Sequence, residues 1–115
     1  MKQSRILSLL GLATRSRNLV SGEFMTEKEV KAGNAKLVLV AEDASDNTRE
    51  MFKNMCSFYS VPIYCYSTKE ELGRAMGKAM RASLAVLDTG FADAIIEHLE
   101  KESQRLDGGS EYGKN

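Results

Sequence analysis

Residues 72–83, LGRAMGKAMRAS, carry three cations, Arg74, Lys78 and Arg81, on a segment interrupted by Gly73 and Gly77. The acids nearest this stretch, Glu71 and Asp88, lie outside it. Glycine is a poor helix former, and Met76 and Met80 do not suit a plain solvated face. A cluster of cations without interspersed acids is suited to a polyanion, and the alternative is a solvated charge patch that serves solubility. The absence of acids inside the stretch favours the polyanion.

Other chemistry finds less support. Asp43 and Asp88 each follow an apolar run, where α/β proteins often place functional acids. Two such acids could hold a magnesium ion for a small enzyme, but acids in those places also cap the next helix, and capping is preferred. Cys56, Cys65 and His98 form no CxxC and no set of about four closely spaced ligands, so they do not constitute a zinc site. They read as two small apolar fillers and a surface histidine in preference to a Cys–His nucleophile pair. The chain has no GK[ST] phosphate loop, no GxGxxG after a strand and no GxSxG elbow. Nothing in the sequence requires an enzyme or a cofactor.

The formal net charge of zero conceals an uneven distribution. Residues 1–36 hold seven cations against three acids, and residues 67–87 hold four against two. Residues 37–66 and 88–115 are acidic in compensation. If the two basic segments meet in space, the protein acquires a positive region that its composition does not announce.

The elements that must position these residues are legible from periodicity. Ser4 is suited to cap a helix carrying Ile6, Leu9, Leu10 and Ala13, a face widened by Leu7 and Leu12. Leu19-Val20 forms a short strand ended by Ser21-Gly22, and EFMTEKEVKA is a helix stopped by Gly33-Asn34. The run Leu37 to Ala41 is a strand buried on both faces. Ser45 or Asp46 opens a helix with Met51, Met55 and Phe58 inward. Residues 61–66 form a strand, with Pro62 near its start. Ser67 and Glu70 make a capping box for TKEELGRAMG. SLAVLD is a further buried strand, and GFADAIIEHLEK is a helix with Phe91, Ile95 and Leu99 on one stripe. This order predicts one α/β domain over 1–102, a sheet between helix layers. Residues 103–115 are polar and predict a disordered tail. With 115 residues there is room for one modest core and not for two domains. No apolar run has the length of a membrane span, and no signal peptide is visible. The expected protein is therefore soluble, cytoplasmic and monomeric, with no membrane partner.

Three stretches, GLATRSRNLVSGE, AGNAKLVLVAEDAS and STKEELGRAMGK, together resemble the ribosomal protein L-seven-Ae and L-thirty-e superfamily of kink-turn RNA binders, and within it the small bacterial YlxQ-type branch. The resemblance covers about residues 3–101. It implies a three-layer α-β-α sandwich with a four-stranded mixed sheet. It also implies a non-catalytic, ribosome-associated protein that takes structured ribosomal or regulatory RNA as its partner. The alternative is a protein-interaction module in a translation or RNA-modification assembly.

By the same resemblance, two regions grip a bent RNA: the start of the second helix, Gly22 to Lys28, and a loop covering Gly77 to Ala82. Within the first, Phe24 and Met25 stand where archaeal members carry Asn-Glu, and Lys28 matches a lysine one turn on. Ser45 stands near a further contact, and Lys69 matches a lysine beside the flipped base. In the loop, Gly77 and Ala79 keep the chain slim, Met80 offers an apolar contact, and Lys78 and Arg81 reach phosphates. The physics is consistent. A kinked duplex crowds its phosphates, and cations with helix N-terminal amides lower that repulsion. The bend also exposes non-canonical pairs and an unstacked base, which a regular RNA groove hides.

Overall fold

The computed structural model describes residues 4–102 and 104–105. The chain runs α1 (Arg5–Arg15), β1 (Leu19–Ser21), α2 (Glu23–Lys31), β2 (Leu37–Val40), α3 (Asp46–Tyr59), β3 (Ile63–Cys65), α4 (Lys69–Ala75), β4 (Ser83–Val86), α5 (Thr89–Glu102) and β5 (Gln104–Arg105). The sheet order is β1-β4-β2-β3-β5. β4 runs antiparallel to both β1 and β2, while β2 and β3 are parallel and are joined through α3. The expected four-stranded mixed sheet is thus present, and the two-residue β5 adds to its β3 edge. Gln104 and Arg105 fall within the segment predicted as a tail. Residues 103 and 106–115 of that segment lie outside the described residues.

Helices α2 and α3 pack together on one side of the sheet, and α1 packs with α4 and α5 on the other. The middle strands show why. Every residue of β2 (LVLV) and of β4 (SLAV) is buried, as continuous apolar runs require when both faces are covered. Ile6, Leu10, Phe52, Ile63, Leu72, Ile95 and Leu99 fill the space between layers. Each such side chain removed from water contributes about 1.5–3 kcal/mol before entropy is counted. Among the described residues, no helix is long and apolar enough to cross a membrane.

Several local expectations need correction. Leu12 does not widen the buried face of α1 but stands 48% exposed. In α3 the buried stripe is Phe52 and Cys56, with Met51 and Met55 half-buried beside it, and Phe58 points to solvent at 79% exposure. At about 100° per residue, Phe58 lies roughly 120° round the helix from Phe52, off the stripe. The cap of α4 is Thr68, whose hydroxyl accepts from Glu71 N–H at 3.1 Å; it is not Ser67. Ser67 has φ +65° and instead donates its hydroxyl to the Glu71 carboxylate.

Candidate nucleic-acid interface

The sheet topology gathers the sequence-predicted residues at one edge. β1, β2 and β3 all end there, and β4, antiparallel to two of them, begins there. The connections 21–23, 41–45, 66–69 and 76–82 therefore lie side by side and are cross-bonded. Gly22 N–H donates to Ser83 O at 2.9 Å, Ala41 N–H to Ala82 O at 2.9 Å and Glu42 N–H to Ser67 O at 2.7 Å. The basic segments 1–36 and 67–87 do meet, at Gly22 and Ser83.

The question set by LGRAMGKAMRAS is answered by the path of the chain after α4. Gly77, at φ +71°, ends the helix. Its N–H donates to Arg74 O at 3.1 Å, and Lys78 N–H donates to Gly73 O at 2.7 Å, so two terminal carbonyls are satisfied. The chain then doubles back along the helix it has just left. Ala79 O lies directly over Gly73, where a built Cβ would meet it at 1.9 Å. Arg81 N–H donates to Lys69 O at 3.0 Å, at the start of the helix. Lys69 and Gly73 lie one turn apart on one stripe of α4, and the loop returns along it after the turn at Gly77. The spacing of the glycines serves this return: one admits a carbonyl, the other admits a left-handed turn.

The three cations of the stretch separate in space. Arg74 is paired with Glu70 at 2.8 Å on the exposed side of α4, so it is not uncompensated. Lys78 is exposed at the loop tip and makes no ion pair among the described residues. Arg81 is half-buried: Nε donates to Ser21 Oγ at 3.1 Å and a terminal nitrogen to Met80 O at 3.1 Å. It ties the loop to the end of β1 as well as presenting charge. Ala79 and Met80 are exposed, Met80 at 61%.

Across the edge, Gly22 at φ +94° is the N-cap of α2 and supplies no side-chain bond to its amides. The other four helices are capped by Ser4, Ser45, Thr68 and Asp88. Below the first turn of α2, buried Thr26 receives Ser83 Oγ at 3.5 Å, which seats the helix on β4. Phe24 is 74% exposed, Met25 half-buried and Lys28 exposed. Ser45 is exposed, and its hydroxyl is engaged with Thr48 as the α3 cap. Lys69 is half-buried at the first turn of α4. Acids border the region on the β2–α3 side. Asp43 accepts from Lys69 N–H at 2.9 Å, and Asp46 is bonded to Arg49.

Both acids weighed for metal chemistry therefore serve helix starts. Asp88 accepts from Phe91 N–H at 2.9 Å, as expected of a cap. Asp43 serves the first turn of α4 and not of α3, the helix that follows it in sequence. Among the described residues, no group of three or more His, Cys, Asp or Glu is arranged to hold a metal ion. Cys65, half-buried at the end of β3, has its thiol pushed up from the ordinary value, chiefly by burial. A groove of about 550 Å³ between α1 and α4, lined by Leu7, Leu12, Arg15 and Arg74 among others, contains none of the predicted contacts.

The residues missed from the sequence are those bonded across distant segments, Ser21 under Arg81 and Thr26 under Ser83, while Asp43, expected as a cap, serves Lys69 of a later helix. Only the topology brings them together, and no local spacing signals them.

The chain is similar to known proteins over most of its length. The family described as ribosomal protein L7Ae/L30e/S12e/Gadd45 matches residues 4–96. The chain is 46% identical over 92 residues to the RNA-binding protein YlxQ of Bacillus subtilis (strain 168), covering 80% of this chain and 92% of that one. Among solved structures, a protein with unknown function from Bacillus halodurans C superposes with a TM-score of 0.83 at 35% identity, over 85% of this chain and 99% of that one. The Giardia lamblia 15.5kD RNA binding protein shares the fold, with a TM-score of 0.72 at 20% identity over 88% and 92% of the two chains.

Proposed function

The chain belongs to the ribosomal protein L7Ae/L30e/S12e/Gadd45 family, and on that footing we propose that it is a non-catalytic RNA-binding protein that grips a sharply bent, kink-turn-like RNA helix at the edge where β1, β2 and β3 end. The target is structured RNA, ribosomal or regulatory, met in the cytoplasm in association with the ribosome. The similarity to a curated RNA-binding protein over most of both chains supports this function.

The observation that carries the proposal is the convergence of the α2 start and the α4–β4 loop, tied by Gly22 to Ser83 and by Arg81 to Ser21. Lys28 and Lys78 then supply charge to phosphates crowded at a bend. The uncapped amides of α2 offer hydrogen-bond donors to the same anions. Gly77 and Ala79 let the loop approach closely.

The test is fluorescence anisotropy with a kinked duplex RNA and an uninterrupted duplex of equal length, at several salt concentrations. The kinked RNA should bind more tightly. With about three to five phosphates neutralised at roughly −0.9 each, affinity should fall with a log–log salt slope of roughly −2.7 to −4.5. Equal binding to both duplexes, or a flat salt response, would overturn the proposal.

A further inference from the structure

Leu12 is the large apolar side chain of α1 that the core leaves out, with 48% of its surface open to water. Phe24 and Met80, also exposed, stand at the proposed RNA edge, and Phe58 and Tyr59 pair with each other on α3. Leu12 instead walls the groove of about 550 Å³ between α1 and α4, with Leu7 and Ala75. Buried Gly11 forms its floor. A Cβ built there would meet Ala75 O at 3.1 Å and Arg15 Nη1 at 3.4 Å. The glycine thus lets α4 come close, and the Arg15 side chain lies back along α1 over that floor. Arg15 is exposed and makes no ion pair among the described residues. The charges that α4 brings to the groove are engaged: Arg74 pairs with Glu70 at 2.8 Å, and the Glu71 carboxylate accepts from the Ser67 hydroxyl at 2.6 Å. From Arg5 to Gly22 the chain holds three arginines and no acid, so nothing on α1 offsets Arg15.

We propose that this groove docks an acidic amphipathic helix of a protein partner, with an aliphatic side chain on Leu7, Leu12 and Ala75 and a carboxylate on Arg15. A cleft between two packed helices accepts a third by the ridge-and-groove fit that packs helices in cores. The apolar lining decides against RNA. Unpaired bases stack on aromatic rings, and the described lining has none. Phosphates are drawn to cations and gain nothing from leucine. Arg15 sets the sign of the partner, because an acid meets the guanidinium and a lysine is repelled by it. None of the residues proposed for RNA lines the groove, so the chain can hold an RNA and a protein together. The inference goes beyond RNA binding and does not rest on it.

The probe is a synthetic helical peptide of about 14 residues, long enough to span α1. It carries leucines one turn apart on one face and glutamates beside them, and a control peptide carries lysines in place of the glutamates. Each is titrated into the full chain labelled with nitrogen-15, and amide signals are followed. With the acidic peptide the amides of Leu7, Gly11, Leu12 and Ala75 should shift, while those of Lys28 and Lys78 stay in place. The lysine peptide should leave all of them unmoved. Arg15→Glu should reverse the preference between the two peptides. Leu12→Ser should weaken the acidic peptide roughly 3- to 12-fold, since about half of a leucine side chain is left to bury. Both side chains are exposed and lie off the RNA edge, so melting temperature and affinity for a kinked duplex should match wild type in both variants. Groove amides that do not respond to the acidic peptide, or respond equally to both peptides, would overturn the proposal. So would shifts there on adding the kinked RNA, which would make the groove an RNA surface. Concentration-dependent shifts there without peptide would make it a contact between copies of this chain, and would overturn the proposal as well.

Discussion

Gly73→Ala is the substitution for which two physical effects predict opposite outcomes. Gly73 lies inside α4, and alanine in a helix interior is favoured over glycine by about 1 kcal/mol. Judged by propensity alone, the variant should be more stable. The added methyl would, however, stand 1.9 Å from Ala79 O, 2.6 Å from Ala79 C and 3.1 Å from Lys78 O. All three are backbone atoms, so no side chain can swing aside. Ordinary contact begins near 3.4 Å, so the returning loop must lift by about 1.5 Å. Overpacking of this kind costs typically about 1–3 kcal/mol, and more where backbone must move. Because backbone must move, the upper part of that range applies, about 2–3 kcal/mol, and a net loss of about 1–2 kcal/mol remains after the helix gain is subtracted. At about 4–8 °C per kcal/mol for a domain of this size, that lowers the melting temperature by roughly 4–16 °C. The displaced loop carries Lys78 and Arg81, and one misplaced charge-assisted phosphate contact is worth about 1.5–3 kcal/mol. RNA affinity should therefore fall about tenfold or more. Thermal melting and anisotropy on the same preparation measure both. A Gly73→Ala protein that melts at or above wild type and binds RNA normally would show that the loop does not lie on the helix.

Three further expectations follow from particular contacts. Lys78→Ala should weaken RNA binding without moving the melting temperature, since Lys78 is exposed and makes no ion pair among the described residues; Arg81→Ala should reduce both, because it also unties the loop from Ser21 Oγ, and equal melting of the two variants would count against that tie. Asp88→Ala removes the acceptor of Phe91 N–H and should destabilise α5 by about 1 kcal/mol, read as a shift in the denaturation midpoint at unchanged slope. Cys65, whose thiol pKa is raised chiefly by burial, holds less thiolate at pH 8 than an open cysteine and should react more slowly with a disulfide reagent than free glutathione does; faster labelling would contradict the burial.

The parts of the fold legible in the sequence are those that one segment specifies by itself. The runs LVLV and SLAV read as buried strands because no polar residue interrupts the apolar faces beyond Ser83, and that serine finds Thr26. The caps at Ser4 and Ser45 stand directly before their helices and accept from the third residue on. Ser67 and Thr68 both precede a plausible acid, so spacing alone does not separate them as caps. The choice was made by the backbone of Ser67, which takes a left-handed turn as its carbonyl receives Glu42 N–H. That contact joins two connections far apart in sequence, so local spacing could not reveal it. Phe58 was misplaced for a different reason. Its spacing from Met51 and Met55 fits a helical stripe, but those two are the flank of the buried face, whose centre is Phe52 and Cys56.

The candidate site divides along the same line. Its membership could be listed from segments of chain, because each contributing stretch has its own signature. The work each residue does could not. A charge count treats Arg74, Lys78 and Arg81 alike, and the structure gives them three different roles: a surface pair with Glu70, an open cation and a tether. The glycines are the instructive case. A spacing of four was visible at once, but its meaning depended on where the chain went after Gly77. Gly77 has open space around a built Cβ and is constrained by its left-handed φ; Gly73 has helical dihedrals and is constrained only by the carbonyl above it. Two identical residues four apart thus answer to different physics, and both are required for one result. The loop that carries Lys78 and Met80 is held against the helix by backbone hydrogen bonds and tied to β1 by the Arg81 side chain. The exposed side chains of Lys78 and Met80 therefore remain available to whatever occupies the edge.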